Sequence, residues 1–349
     1  INRIFRLSTP MDLLRFKHIS LLDRFLLGLL YIRTRLIKDW HPLEAITAHD
    51  WLIKMAGRRV YERVWDPLLR GKFGDYAHQV AAVWFWNKLK LRGSSRGKQQ
   101  EERLGYLVGG FGQAIEAWER ELRVRGVEMR LGEPVERIAI EQGRAIGVIT
   151  RNGLQAFDHV LVTTAPPLFA QMAPDLPAGY RDRLLAIRYL ANVCLVMRLD
   201  RTLSDTYWLD VGDPTIPITG VIEHTNMQRP ETYGGSHLVY ISRYLTPNDP
   251  HFAMSAAQLL DDYLPHLQKM FRGFSREWVK EVWAWRERWT QPVVGLNYSS
   301  LLPPFETPVA NLWLSCMAQI YPEDRGMNYA VIYGNRAAGK MLEGINTRL

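Results

Sequence analysis

The 349-residue sequence predicts an α/β protein with an α+β part, in which a mostly helical stretch precedes mixed and strand-rich segments. Three observations predict it. Apolar residues recur at helical spacing through the first 104 residues. Helix, strand, hairpin and strand then succeed one another over residues 105–170. Strand-like runs dominate residues 171–294, before a last strand–loop–helix segment at 295–349.

In residues 1–104, Leu22, Phe25, Leu26, Leu29, Ile32 and Leu36 repeat at i, i+3, i+4 and i+7 and predict one helix. Thr47 with Asp50 three residues on resembles a capping box opening "AHDWLIKMAG". Asp66-Pro67, Gly71 and Gly74 punctuate the helices of "RRVYERVWDPLLRGKFGDY". The polar stretch "GSSRGKQQEE" (93–102) predicts a loop and a boundary.

After it, Gly109-Gly110 leads into a helix from about Gly112 to a stop at Gly126. "VEMRLG" (127–132) predicts a short strand, and "PVERIAIEQ" leads into the next. "RAIGVITRNGLQAF" predicts a hairpin whose Asn152-Gly153 pair supplies the positive φ angles of a tight turn. "DHVLVTTAPP" predicts a buried strand ending in small residues and prolines.

"ANVCLVMRL", "ITGVIEH", "SHLVYISRYL" and "REWVKEVWAW" predict strands, interrupted by one helix at about Ser255 to Phe271. Trp283 and Trp285 fall on one strand face, where core packing is the default reading. Cys194 and Cys316 lie in apolar runs as buried free thiols, which excludes a disulfide framework and suits a reducing compartment. No His/Cys set has metal-ligand spacing, so no metal is expected. The nine His are scattered, and no catalytic Ser/His/Asp set or HExxH occurs.

"NLWLSCM" predicts a buried strand, and "AQIYPEDRG" cannot continue it, because Pro322 fixes φ and removes a donor. A helix is expected from about Gly326 to Leu342, with Met327, Val331, Gly334, Ala338 and Met341 on one face. An interior glycine costs about 0.5–1 kcal/mol against alanine, so Gly334 is expected at a close approach. The positive end of this helix would favour an anion or polarised carbonyl beyond the C-terminal edge of the strand.

Four segments, in order, resemble the FAD-dependent amine oxidase superfamily, in the branch of protoporphyrinogen oxidases and phytoene desaturase-like enzymes. They are "GYLVGGFGQAIEAWERELRVRGVEMRLGEPVERI", "HVLVTTAPPLFAQMAP", "RWTQPVVGLNY" and "LWLSCMAQIYPEDRGMNYAVIYGNRAAGKML". The resemblance implies a two-domain Rossmann-like flavoprotein fold: a helical lobe at 1–104, FAD-binding segments at 105–170 and 295–349, and a substrate domain at 171–294. It implies that Val135 lies on the adenine by its backbone. It places Gly326, Met327 and Asn328 at the isoalloxazine edge, and Thr164, Ala165, Trp289, Cys316 and Met317 beside the cofactor. Catalysis would rest on hydride transfer to flavin N5 from an apolar or cyclic substrate, with no protein acid or base assigned. Where many relatives carry Gly followed by Asp or Glu, this sequence has Ser315-Cys316-Met317.

The GxGxxG turn that opens such folds is absent from the 349 residues, and "GGFGQA" fails its spacing. With a start at Ile1, this creates the expectation of a piece lacking its first βαβ unit, inactive alone and holding FAD weakly.

Residues 1–104 hold 20 Lys/Arg and 10 Asp/Glu, a balance of +10, whereas the rest hold 24 and 26. This basic lobe, with Phe25–Ile32 flanked by Arg24, Arg33 and Arg35 and with "KLKLRGSSRGK" (88–98), is expected to suit an anionic membrane surface. The expected location is cytoplasmic, peripheral to the inner face of a membrane. Nucleic-acid binding is excluded by the lack of a matching motif. Two rival classes stand beside the oxidoreductase. One is a flavin-dependent sugar-nucleotide mutase, whose diphosphate the basic lobe would bind. The other is a non-enzymatic fragment that binds a membrane or a partner.

Overall fold

The computed structural model describes residues 4–5, 10–92 and 105–346. The chain divides into two compact units, Ile1–Glu102 with Tyr189–Tyr298 and Arg103–Arg188 with Ser299–Leu349. The expected loop at 93–102, and most of "KLKLRGSSRGK", lies outside the described residues.

The first unit opens with helices α1 (Pro10–Arg15), α2 (Leu21–Leu36), α3 (Ala48–Ala56), α4 (Arg58–Val60), α5 (Asp66–Phe73) and α6 (Ala82–Arg92). Helix α2 forms where the apolar repeat predicts it. Ser20 and Asp23 build its capping box: the Ser20 hydroxyl accepts from Asp23 N at 3.2 Å, and the Asp23 carboxylate accepts from Ser20 N at 3.1 Å. At α3 the expected box is incomplete. Thr47 Oγ1 accepts from Asp50 N at 3.0 Å, but the Asp50 carboxylate takes the Thr47 hydroxyl at 2.8 Å instead of the N-cap amide. The inner side of α2 packs on α3 and α6, and Trp86 Nε1 donates to Thr34 O at 3.0 Å.

In the second unit, α7 (Gly112–Val124) ends where Gly126 takes φ 81°. No side chain of α7 is buried. The strand expected at 127–132 does not form. Residues 127–130 pair with no strand among the described residues, and without a partner an extended segment gains no ladder bonds. β1 (Arg137–Glu141), β2 (Arg144–Thr150) and β3 (Gly153–Ala156) make an antiparallel meander. Its turn differs from expectation: Arg151 and Asn152 connect the paired Thr150 and Gly153, and only Gly153 of the expected pair has a positive φ, at 91°. β4 (Val160–Val162) is followed at once by α8 (Pro166–Met172), which Pro166 and Pro167 start without loss because the first N–H groups of a helix need no internal acceptor. α9 (Ala178–Ala186), which the sequence pattern did not predict, comes next.

The first unit resumes with β5 (Tyr189–Leu199), β6 (Trp208–Asp210), β7 (Gly220–Glu223), β8 (His237–Leu245), α10 (Ala256–Met270) and β9 (Val279–Pro292). The sheet order is β6-β7-β8-β5-β9, all antiparallel neighbours. Alternate residues Val193, Leu195, Met197, Val239 and Ile241 pack with Leu259, Tyr263 and Leu267 of α10 into one core. Burying each such side chain stabilises the fold by about 1.5–3 kcal/mol. Trp283 and Trp285 do share a face of β9, but the core reading is corrected: they are 40% and 68% exposed, because α10 covers the other face.

The second unit closes with β10 (Leu312–Leu314), parallel to β4, and α11 (Met327–Asn346). The packed face of α11 is not the expected one. Ala337 is fully buried, Tyr329, Tyr333, Met341 and Gly344 are half-buried, and Val331, Gly334 and Ala338 face solvent. A Cβ at Gly334 would meet nothing within 4 Å. The close approach is at Gly344, where a Cβ would stand 2.9 Å from Trp313 Cη2.

Candidate active site

The parallel pairing Leu312↔Val160, Trp313↔Leu161, Leu314↔Val162 sends both strands out at one edge. Ser315 N still donates to Val162 O at 2.9 Å, so the pair holds to its last residue. Beyond that point lie Thr164 and Ala165 on one side and Cys316 and Met317 on the other. Four of the residues picked out by sequence therefore share the C-terminal edge, where open α/β sheets bind ligands.

Their chemistry differs. Thr164 Oγ1 is shielded from solvent and has no hydrogen-bond partner. Such a hydroxyl is costly unless a group arrives to pair with it. Ala165 caps α8 without a side-chain bond. Cys316 is already engaged: its N–H donates to Gln319 Oε1 at 2.7 Å, its carbonyl accepts from Gln319 N at 3.1 Å, and burial pushes its thiol up to about 11. Gln319 in turn donates to Pro303 O at 3.0 Å and Leu314 O at 3.2 Å. The turn after β10 is thus held by its own hydrogen bonds, and burial disfavours the thiolate of Cys316. Met317 projects outward.

Sequence reasoning missed Tyr180. Its side chain on α9 is buried, its hydroxyl has no hydrogen-bond partner, and burial, then Cys316, raises its pKa. An apolar-pattern search does not register a phenol between Gly179 and Arg181, and the helix carrying it was itself not foreseen.

Twelve residues past β10, α11 begins. Ala330 N donates to Gly326 O at 2.9 Å as the first helical bond. The amides just before it have no intrahelical acceptor, and the first turn carries no acidic residue to offset the positive end. Asn328 Oδ1 lies 2.8 Å from where a Cβ of Gly326 would be, so only glycine fits there without displacing it. Met327 and Asn328 are exposed. Val135 stands two residues ahead of β1, exposed, with Glu136 N donating to Ile149 O at 2.9 Å. Trp289 belongs to the other unit, half-buried and edge-on to Tyr189 with ring centroids 5.9 Å apart.

A depression of ≈ 330 Å³ opens at the opposite, N-terminal edge of the same strands, beside Arg144, Phe157, Asp158 and Asn311. Strand polarity argues against it as the active site. Among the described residues no His/Cys/Asp/Glu group is arranged to hold a metal ion, and no helix is long and apolar enough to cross a membrane.

Comparison with solved structures gives the same architecture. A putative protoporphyrinogen oxidase from Exiguobacterium sp. 255-15 is 18% identical at TM-score 0.67, over 98% of this chain and 76% of that one. Putrescine oxidase bound to putrescine is 15% identical at TM-score 0.60, over 92% and 75%. A reduced UDP-galactopyranose mutase is 13% identical at TM-score 0.58, over 81% and 63%. Among curated proteins, none matches the sequence. The family model for flavin containing amine oxidoreductases matches residues 10–342, nearly the whole chain. The chain therefore belongs to that family and is a flavin-dependent oxidoreductase.

Proposed function

We propose that the flavin is FAD and that the substrate is an apolar or cyclic small molecule. One observation carries the cofactor reading: the shielded, unpartnered Thr164 hydroxyl at the C-terminal edge of β4 and β10. The residues there fit a flavin. Thr164 Oγ1 and the first amides of α11 are donors suited to a carbonyl-rich ring edge, and Met317 offers apolar contact. Bound FAD would supply the hydride acceptor, its N5. The protein's part is to orient the substrate and to exclude water.

The substrate reading rests on the first unit. On the sheet face opposite α10, Trp208, Ile222, Tyr240, Val196 and Trp283 stand side by side across five strands, with Trp285 beside Cys194 in the next row. Flat, half-exposed aromatic surface suits a ring-shaped apolar ligand better than a charged sugar nucleotide. Anaerobic mixing of flavin-loaded protein with candidate amines and cyclic compounds tests this. Bleaching of the flavin band after one turnover is the expected outcome. Conversion of a sugar nucleotide with the flavin band unchanged at the end would replace oxidation by isomerisation.

A further inference from the structure

We propose that the depression at the N-terminal edge of β4 and β10 binds a free α-amino acid with an aromatic side chain. Three strands begin beside it: β2 at Arg144, β4 just after Asp158 and His159, and β10 just after Asn311. Backbone bonds fix this frame. Ala145 N donates to Ala310 O at 2.9 Å, Val160 N to Asn311 O at 2.9 Å, and Phe157 N to Ile146 O at 3.0 Å. Asn311 is buried and takes φ 64°, a left-handed conformation that asparagine tolerates better than most residues. The volume of ≈ 330 Å³ falls within the range of about 300–1,000 Å³ common to small-ligand sites.

Charge selects the ligand. Arg144 and Asp158 both line the depression, yet they do not pair with each other, and among the described residues neither side chain is hydrogen-bonded or ion-paired to any other. The ring of Phe157 is 49% exposed, and Ile146 and Ala156 extend the apolar wall. A guanidinium takes a carboxylate through two parallel hydrogen bonds, and a carboxylate takes an ammonium. A ligand that meets both carries an anion and a cation a few atoms apart, with a flat apolar remainder for Phe157. A zwitterionic aromatic amino acid has these three parts. A phosphate would bring its charge against Asp158, and a nucleobase has no full charge to set against either group. Thr164 and Met317 stand at the other end of the same parallel strands, so this site is separate from the flavin edge.

The test is calorimetric titration of the full chain with three probes: L-phenylalanine, L-phenylalaninamide, which lacks the carboxylate, and 3-phenylpropionate, which lacks the ammonium. L-Phenylalanine is expected to bind with a Kd below about 1 mM, and each analogue about tenfold more weakly or worse. Arg144→Gln is expected to weaken L-phenylalanine about tenfold and to leave L-phenylalaninamide unchanged. Asp158→Asn is expected to weaken L-phenylalanine about tenfold and to leave 3-phenylpropionate unchanged. Both side chains are exposed, far-UV circular dichroism checks folding, and the wild-type comparison of probes stands even if a variant misfolds. Repeated with saturating FAD, the titration is expected to give the same affinity for L-phenylalanine. A Kd above the stated limit, equal binding of either analogue, or undiminished binding by folded variants overturns the proposal. So does displacement of L-phenylalanine by FAD, which would merge this site with that of the flavin.

Discussion

A Cβ on Gly344 would reach 2.9 Å from Cη2 and 3.2 Å from Cζ2 of Trp313, a buried ring with no room to retreat. Gly344→Ala is expected to destabilise the protein by about 1–3 kcal/mol. Gly334→Ala, into open space, is expected to stabilise it by about 0.5–1 kcal/mol. Denaturant midpoints measure both, and equal shifts of the same sign would contradict the packing described. The sequence could not separate these two glycines. The helix was legible, but its phase was set by Met327, Val331 and Ala338, whereas Tyr333 and Ala337 turn inward because Phe305 and Trp313 wait on that side. Thr164 gives a second prediction at this scale. Thr164→Val removes a shielded hydroxyl that has no partner, so the flavin-free protein is expected to be unchanged or up to about 1 kcal/mol more stable. The same change is expected to weaken flavin binding by about five- to tenfold, read by titration. Unchanged affinity would remove Thr164 from the site.

Loop 213–215 shows how one element is clipped to another. Asp213 accepts from the Thr215 hydroxyl at 2.7 Å and from Thr215 N at 2.9 Å, and Lys269 of α10 donates to it at 3.0 Å. These bonds, those from Thr215 first, hold the carboxyl at about 2, below its ordinary value of 3.8. A carboxyl depressed in the fold contributes stability that is complete above its unfolded value and is lost as the pH falls towards the folded one. Stability is therefore expected to drop between about pH 4 and pH 2. In Asp213→Asn, that part of the drop should vanish from unfolding midpoints measured across the window. Other parts of the element scale were read unevenly from sequence. The strands β5, β7 and β8 and the helix α10 announce themselves by period and by Ser255. The strand expected at 127–132 fails because pairing needs a partner that local pattern does not contain. Trp283 and Trp285 carry the right spacing for a shared face, but spacing alone does not say which face α10 covers.

At the scale of the whole molecule, the family and its fold were legible because four segments keep their order along the chain, and the family match spans residues 10–342. Thr164, Ala165, Cys316 and Met317, which the family resemblance implies, stand at one edge because the parallel strands β4 and β10 both end there. At Cys316 the backbone N–H and carbonyl are already bonded to Gln319, a turn that no local signal in the sequence announces. The central claim is that the flavin lies at the C-terminal edge of β4 and β10, facing the first turn of α11. Hydrogen exchange read by mass spectrometry, with and without saturating FAD, tests it most directly. Protection concentrated at residues 163–165 and 326–329 is the expected result. Protection elsewhere, with those amides exchanging as fast as before, would contradict it.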